Sequence, residues 1–530
     1  MAKRYALVFG GSVAACALAL VVGVGAVPQQ SPAPGAQGGE GAARPPRPAF
    51  GIRIGLPPVV IPDEDYLEWP LTPAQQAYAR IDGRHMKDLV RQVVAFSEKS
   101  RADGHQYWGR IAGTPYDAMT RAWVVDQFKR IGLEDIHDQP VTQAPMWWPN
   151  SWEASVVVGG KRTPLKTAFA LGGPSTPVAG VDLPIVWVGL GTAADFAGRD
   201  VRGKAVMIYA VPTPSRREHS ALWLGSIDRA RKAGAGLVIV DLAIPGMPDV
   251  ITQPVISGFG AEDAPSEELA ISVGPGESDL IREMIGRGES PSIHYRLDAT
   301  MKTGPSGVVL AKLSGTTDEN ILLEAHTDTF FSGAMDNASG VAQLLALAEY
   351  YAAQPKAQRR RTLLFVVNND HHSGSAGLAW IREHWGPQLD RTVVDFNCEH
   401  PAQTQTYMIS GGLMTSDTPS ARRINLGGNN GTAELRSVIR KTFKAFGVAT
   451  YSRPDGGDGD PAVTTSSAPP RIGVIDHTFY HTSMDTTDFL PARGLEQATR
   501  AYASIIDQLN AMDMTRIRLP KGAQPVRPPR

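Results

Sequence analysis

Apolar positions recur at helical spacing along residues 86–100 (MKDLVRQVVAFSEKS). They recur again at Ala118, Trp123, Val124, Phe128 and Ile131, where Gly132 is placed to stop a helix over 117–132. Residues 153–170 instead alternate, and Val156-Val157-Val158-Gly159-Gly160 reads as the first arm and turn of a hairpin. Short β-branched runs follow at 185–188 and 205–209, then a helix over about 224–233 and an apolar run at 237–240. Beyond residue 300 the rhythm becomes strand, helix, strand. Apolar runs stand at 308–310, 320–323 and 362–367, with helices expected over 340–352 and 495–512. This alternation predicts an α/β fold: a mixed β-sheet sandwiched by helices, with a smaller β-rich domain inserted over 171–300. The larger unit is then built from 72–170 and 301–515. In such sheets, sites gather at the carboxyl ends of strands.

The flanks read differently. Lys3 and Arg4 precede an apolar run that ends in Val24-Gly25-Ala26. A basic start, an apolar stretch and small residues form a secretory signal, with 1–26 removed. An uncleaved N-terminal anchor is the alternative, because the run is long. The expected address is therefore export, periplasmic or extracellular, with any membrane association confined to this segment. Residues 27–71 are rich in Pro and Gly and cannot bury a core, so they read as a linker. Residues 516–530 read as a disordered tail.

Composition narrows the function. The 530 residues are 42% hydrophobic and 20% charged, with a formal net charge of -1. This is globular, and it gives no electrostatic case for a nucleic-acid partner. Cys16 and Cys398 are the two cysteines, which rules out a disulfide scaffold or an all-cysteine zinc site. The oligomeric state is not set by the sequence.

The chemistry lies in five clusters, four of them directly after apolar runs or opening a helix. They are Glu324-Ala-His326-Thr-Asp328; Gly333-Ala-Met-Asp336-Asn337-Ala-Ser339-Gly340; Asn368-Asn369-Asp370-His371-His372; Asp395-Phe-Asn397-Cys398-Glu399-His400; and Asp476-His477-Thr-Phe-Tyr480-His481-Thr-Ser-Met-Asp485. Any one of them suits a capped helix or a solvated loop. Together they offer imidazole and carboxylate donors at neighbouring strand ends, a set suited to zinc.

The order of these clusters resembles the M28 metallopeptidase family, zinc aminopeptidases that share a fold with zinc carboxypeptidases. The resemblance covers most of residues 86–515. Asp336-Asn337-Ala-Ser339-Gly340 together with Tyr480-His481-Thr-x-x-Asp485 carries it, whereas His326-x-Asp328 alone is weak. Residues 171–300 resemble the protease-associated domain often inserted there, through the segments 196–208 and 233–240. The family usually holds two zinc ions about 3.5–4 Å apart. The resemblance implies that His326 binds one ion, His481 the other, and that Asp336 bridges them. It makes Asp328 and Asp485 supporting groups behind the ligands, with Asp328 orienting His326. The further carboxylate ligand falls on Glu399, with Asp395 as a rival.

One position departs from the family. Where Glu-Glu is usual, as base and ligand, this chain has His371-His372; a one-residue slip would substitute Asp370-His371. The resemblance implies a base at His371 or Asp370, and a ligand at His372. Asp336 and Glu399 are then the only carboxylates assigned directly to the metal, two negative charges against the four positive charges of two zinc ions, so one or two ions are both open. Tyr480 or His477 is expected to donate to the reaction's oxyanion, with core packing the alternative for Tyr480. The implied activity is aminopeptidase-like hydrolysis at peptide or protein N-termini. A non-catalytic binding protein and a glutaminyl-cyclase-like enzyme are the alternatives.

Overall fold

The computed structural model describes residues 70–210, 223–244, 247–253, 268–409, 412–418, 422–423, 430–448, 450–451, 469–472 and 479–520. The expected signal segment and nearly all of the linker lie outside these residues, as do Asp476 and His477.

The main sheet has six strands, in spatial order Glu134–Thr142, Pro305–Leu313, Thr362–Asn368, Asn320–His326, Thr392–Asn397 and Arg471–Ile472. Pro305–Leu313 runs antiparallel to both of its neighbours; the last four strands are parallel. Chain order reverses around Asn320–His326. The strand that follows it in this sheet pairs on one side, and the next one pairs on the other. That reversal opens a crevice at the carboxyl ends of the three central strands.

Period-two alternation assigns the two faces. Ile321, Leu323, Phe365 and Val367 pack against the helices Gly83–Ala102, Pro115–Ile131, Gly340–Ala352 and Ala492–Asn510. Leu322, Leu364 and Val366 face the shorter helix Ala376–His384 through Leu378 and Ile381. Thr114 caps the second of these helices by accepting the Asp117 N–H, and Gly132 ends it in the left-handed region at φ 82°.

Between the first two strands of the main sheet the chain builds a second sheet of eight strands. It runs from Met146–Val158 to Ser292–Lys302. Its first hairpin turns at Gly159 and Gly160, both at positive φ, as a two-residue turn requires. The boundary expected at 171 falls inside this sheet. Ser292–Lys302 pairs along Met146–Val158 for its whole length, so the earlier strand belongs to the second sheet. The tail also begins later than expected. Met514–Ile517 is helical with Ile517 buried, and Gly431 bridges Arg518. Among the described residues no helix is long and apolar enough to cross a membrane.

Candidate metal centre

Three strand ends and two loops meet at the crevice. His326 ends its strand, His371 and His372 form a tight turn beyond Asn368, and Glu399 follows Asn397. Asp336 lies in an irregular turn before the Gly340–Ala352 helix, joined to Asn337 by a cis peptide bond. Asn337 fixes this turn: its Oδ1 accepts the Gly340 N–H and its Nδ2 donates to the Cys398 carbonyl. Gly340 is required there, since a Cβ would stand 2.0 Å from that carbonyl oxygen.

Asp336 divides the centre in two. Its Oδ1 lies 3.4 Å from His326 Nε2, and Glu399 Oε1 lies 3.3 Å from the same nitrogen. Its Oδ2 lies 3.1 Å from His481 Nε2 and 3.4 Å from His372 Nε2. In each set, His326–Asp336–Glu399 and Asp336–His372–His481, the donor atoms fall within 4.8 Å of one another, and all these residues are buried. Asp336 Oδ2 is buried without a hydrogen bond. A buried acceptor in that state, among converging imidazole nitrogens, fits a metal ligand. Burial pulls His326 down, but hydrogen bonds to Asp328, Asp336 and Glu399 outweigh it and hold the imidazole well above its ordinary pKa. Burial pushes Asp336 up, yet His372, His326 and His400 hold it well below the usual carboxylate range. The carboxylates around His326 favour positive charge there, the same preference that recruits a cation.

The supporting acids act on backbone. Asp328 accepts the N–H groups of His371 (3.0 Å) and His372 (2.8 Å), and its Oδ1 lies 3.5 Å from His326 Nδ1. Asp485 accepts the N–H groups of Met335 (2.8 Å) and Asp336 (3.0 Å). Asp328 therefore positions the turn that carries His371 and His372 and stands behind His326. Behind the loop, the buried Arg110 guanidinium donates to the carbonyls of Thr327 (2.8 Å), Ser332 (2.9 Å) and Gly333 (3.0 Å).

Asp370 turns to the helix Ala376–His384, accepting the Ala376 N–H at 2.7 Å and the Gly377 N–H at 3.4 Å. It thus satisfies the first free N–H groups of that helix. The His371 ring stacks on His326, centroids 4.0 Å apart at 10°. His326, His371 and His372 also form a donor set within 4.8 Å. Asp395 is engaged elsewhere, 3.4 Å from Arg471 Nε, while that guanidinium also pairs with Glu324 at 2.9 Å. Tyr480 stacks on His481 (3.8 Å, 19°) and meets His400 edge-on at 5.7 Å, so its ring packs the imidazoles in place.

Two groups went unassigned in the sequence. His400 Nε2 lies 3.2 Å from Asp336 Oδ1 and 3.6 Å from Glu399 Oε1, at a left-handed φ of 44° that turns it back to the centre. Its place directly after Glu399, at the end of an apolar run, was the available signal. Gln253 Oε1 lies 3.1 Å from His481 Nδ1, and no pattern in the sequence marks it.

Residues 308–506 match the model of peptidase family M28. A peptidase M28 precursor from Shewanella amazonensis superposes with TM-score 0.62 at 20% identity, covering 82% of this chain and 96% of that one. A zinc aminopeptidase from Bacillus subtilis superposes with TM-score 0.56 at 17% identity, covering 82% and 98%. Helices on both faces of a mixed sheet are therefore the zinc exopeptidase fold. Among curated proteins, the vacuolar membrane protease of Eremothecium gossypii is 31% identical over 139 residues, 25% of this chain and 13% of that protein. The vacuolar membrane protease of Lachancea thermotolerans is 37% identical over 90 residues, 16% and 9%. The chain thus spans only a small part of the length of these relatives. Their names correct the expected address: they place those proteins at a vacuolar membrane, against export to a periplasm or the extracellular space.

Proposed function

With residues 308–506 placed in peptidase family M28, we propose that this chain is a zinc-dependent metallo-exopeptidase of the aminopeptidase type, acting on peptide or protein N-termini. The observation that carries the reading is Asp336, whose two carboxylate oxygens face separate histidine-containing donor sets. His326, Glu399 and Asp336 would hold one ion; His372, His481 and Asp336 would hold a second. Zinc bound there supplies Lewis acidity and lowers the pKa of its water towards about 7.

The chain's own groups do the rest. His371 is the proton acceptor in place of the family's usual glutamate, held over the centre by its stacking on His326. Asp328 fixes the turn that carries it through the two backbone N–H groups. As water's oxygen adds to the peptide carbonyl carbon, His371 takes its proton. It then gives that proton to the amine nitrogen as the C–N bond breaks. Asp485 holds the backbone of Asp336 so that both its oxygens stay aimed.

The test is metal content by elemental analysis after zinc loading and desalting, together with release of N-terminal residues from a peptide mixture. Retained zinc with amino-acid release supports the reading. No retained zinc overturns it. Retained zinc with cyclisation of N-terminal glutamine, and no hydrolysis, replaces peptidase with cyclase.

A further inference from the structure

We infer that the eight-stranded unit completes the metal centre, through Gln253 acting as the positioning residue for His481. The inference rests on the metal-centre reading above and extends it to a residue far outside the M28 segment.

His481 presents Nε2 to Asp336 at 3.1 Å. Its other ring nitrogen, Nδ1, lies 3.1 Å from Gln253 Oε1. A histidine that gives Nε2 to a metal carries its proton on Nδ1, and an acceptor there fixes the tautomer and the ring plane. Gln253 is only 5% exposed, so water does not compete freely for the bond. Its backbone N–H donates to the His481 carbonyl at 2.8 Å, which grips the ligand at both ends.

The grip continues on either side. Thr252 bridges Thr482, Ile251 N–H donates to Ser483 Oγ at 3.0 Å, and Ser483 N–H donates to the Ile251 carbonyl at 2.8 Å. Ser272, in the Leu269–Val273 strand of the eight-stranded sheet, donates to the Thr252 carbonyl at 2.6 Å. Phe479, two residues before the ligand, is buried in a cluster with Val206, Val238 and Val240 of the same sheet. The loop bearing His481 is thus anchored on the second sheet by apolar packing and set by a short antiparallel seam. His481 itself sits at φ 53°, a conformation that surrounding contacts must hold.

Gln253→Met tests this, because it keeps the side chain's size and every backbone bond of the seam and removes only the acceptor. Gln253→Glu restores an acceptor. The full chain is purified metal-free and titrated with zinc against a competing chelator; cobalt(II) is then loaded and its visible absorption recorded. We expect Gln253→Met to weaken one zinc site by about 10–100-fold, to change the cobalt spectrum, and to leave the thermal midpoint of the metal-free chain unchanged. Gln253→Glu should recover the affinity. Wild-type zinc affinity and an unchanged cobalt spectrum in Gln253→Met overturn the inference while the metal-centre reading stands. A fall in affinity accompanied by an equal loss in Gln253→Glu and a lower metal-free midpoint also overturns it, since the residue would then only dock the two sheets. Absence of zinc binding in the wild type overturns the reading beneath it.

Discussion

The two halves of the centre share Asp336 and differ in everything else. On the Oδ1 side His326 closes a central strand and Glu399 brings a full negative charge. On the Oδ2 side both further donors are imidazoles, and both sit on loops. One loop is held by Asp328 through two backbone bonds, the other by the seam with the second sheet. Strand ends place His326 and Glu399 on the acidic half. The imidazole half depends on contacts from elsewhere in the fold. A cation on the acidic side would meet more compensating charge, so the two proposed positions would differ in affinity before any substrate arrives.

The largest effect comes from removing what the halves share. Asp336→Ala should release all metal and lower kcat/KM by about 10³-fold or more; elemental analysis and turnover read it, and retention of one tightly bound ion would show the halves to be independent. Next is His371→Ala, expected to lower kcat about 10²-fold at unchanged metal content. His371→Glu should recover activity, and equal kcat in His371→Ala and the wild type would move the base elsewhere. The asymmetry itself should appear as at least about a tenfold difference in chelator resistance, roughly 1.4 kcal/mol. The imidazole half empties first, and His372→Glu narrows the gap; indistinguishable release of both ions would break the comparison.

The smallest effect concerns Asp370, pushed up to about 7 by burial and by the charge of Asp328. A carboxyl raised on folding binds its proton more tightly in the native state. Its stabilising contribution is complete below about pH 4 and is lost as pH rises towards 7. Metal-free Asp370→Asn should therefore gain stability relative to wild type as pH rises through that window. Thermal midpoints taken at intervals of pH check it, and a constant difference would remove Asp370 from the account.

Much of this was legible in the chain. His326 and Glu399 follow apolar strand runs, and Asp336 opens a helix. The crossover topology then brings such ends together whatever the loops do. Local register was harder to read. Whether Asp370 or His371 faces the centre turns on which backbone N–H groups Asp328 accepts, and strand periodicity is silent beyond the last paired residue. The reach of the second sheet also escaped, since Met146–Val158 joins it only through pairing with a strand far along the chain. Gln253 was invisible for the same reason. It stands 228 residues from His481, and only docking makes them neighbours.

Arg110 has a consequence of its own. A permanent internal cation, tied to three carbonyls of the 327–333 loop, stands among the surrounding charges of Asp336, Asp485, Asp328 and Asp117. The acidic nest thus carries its own counterweight, and Arg110 would hold the loop in place whatever the nest holds. The free energy of capturing an ion then goes into affinity, with little spent on ordering the chain. Such a centre should empty and refill like a socket, without passing through an unfolded state.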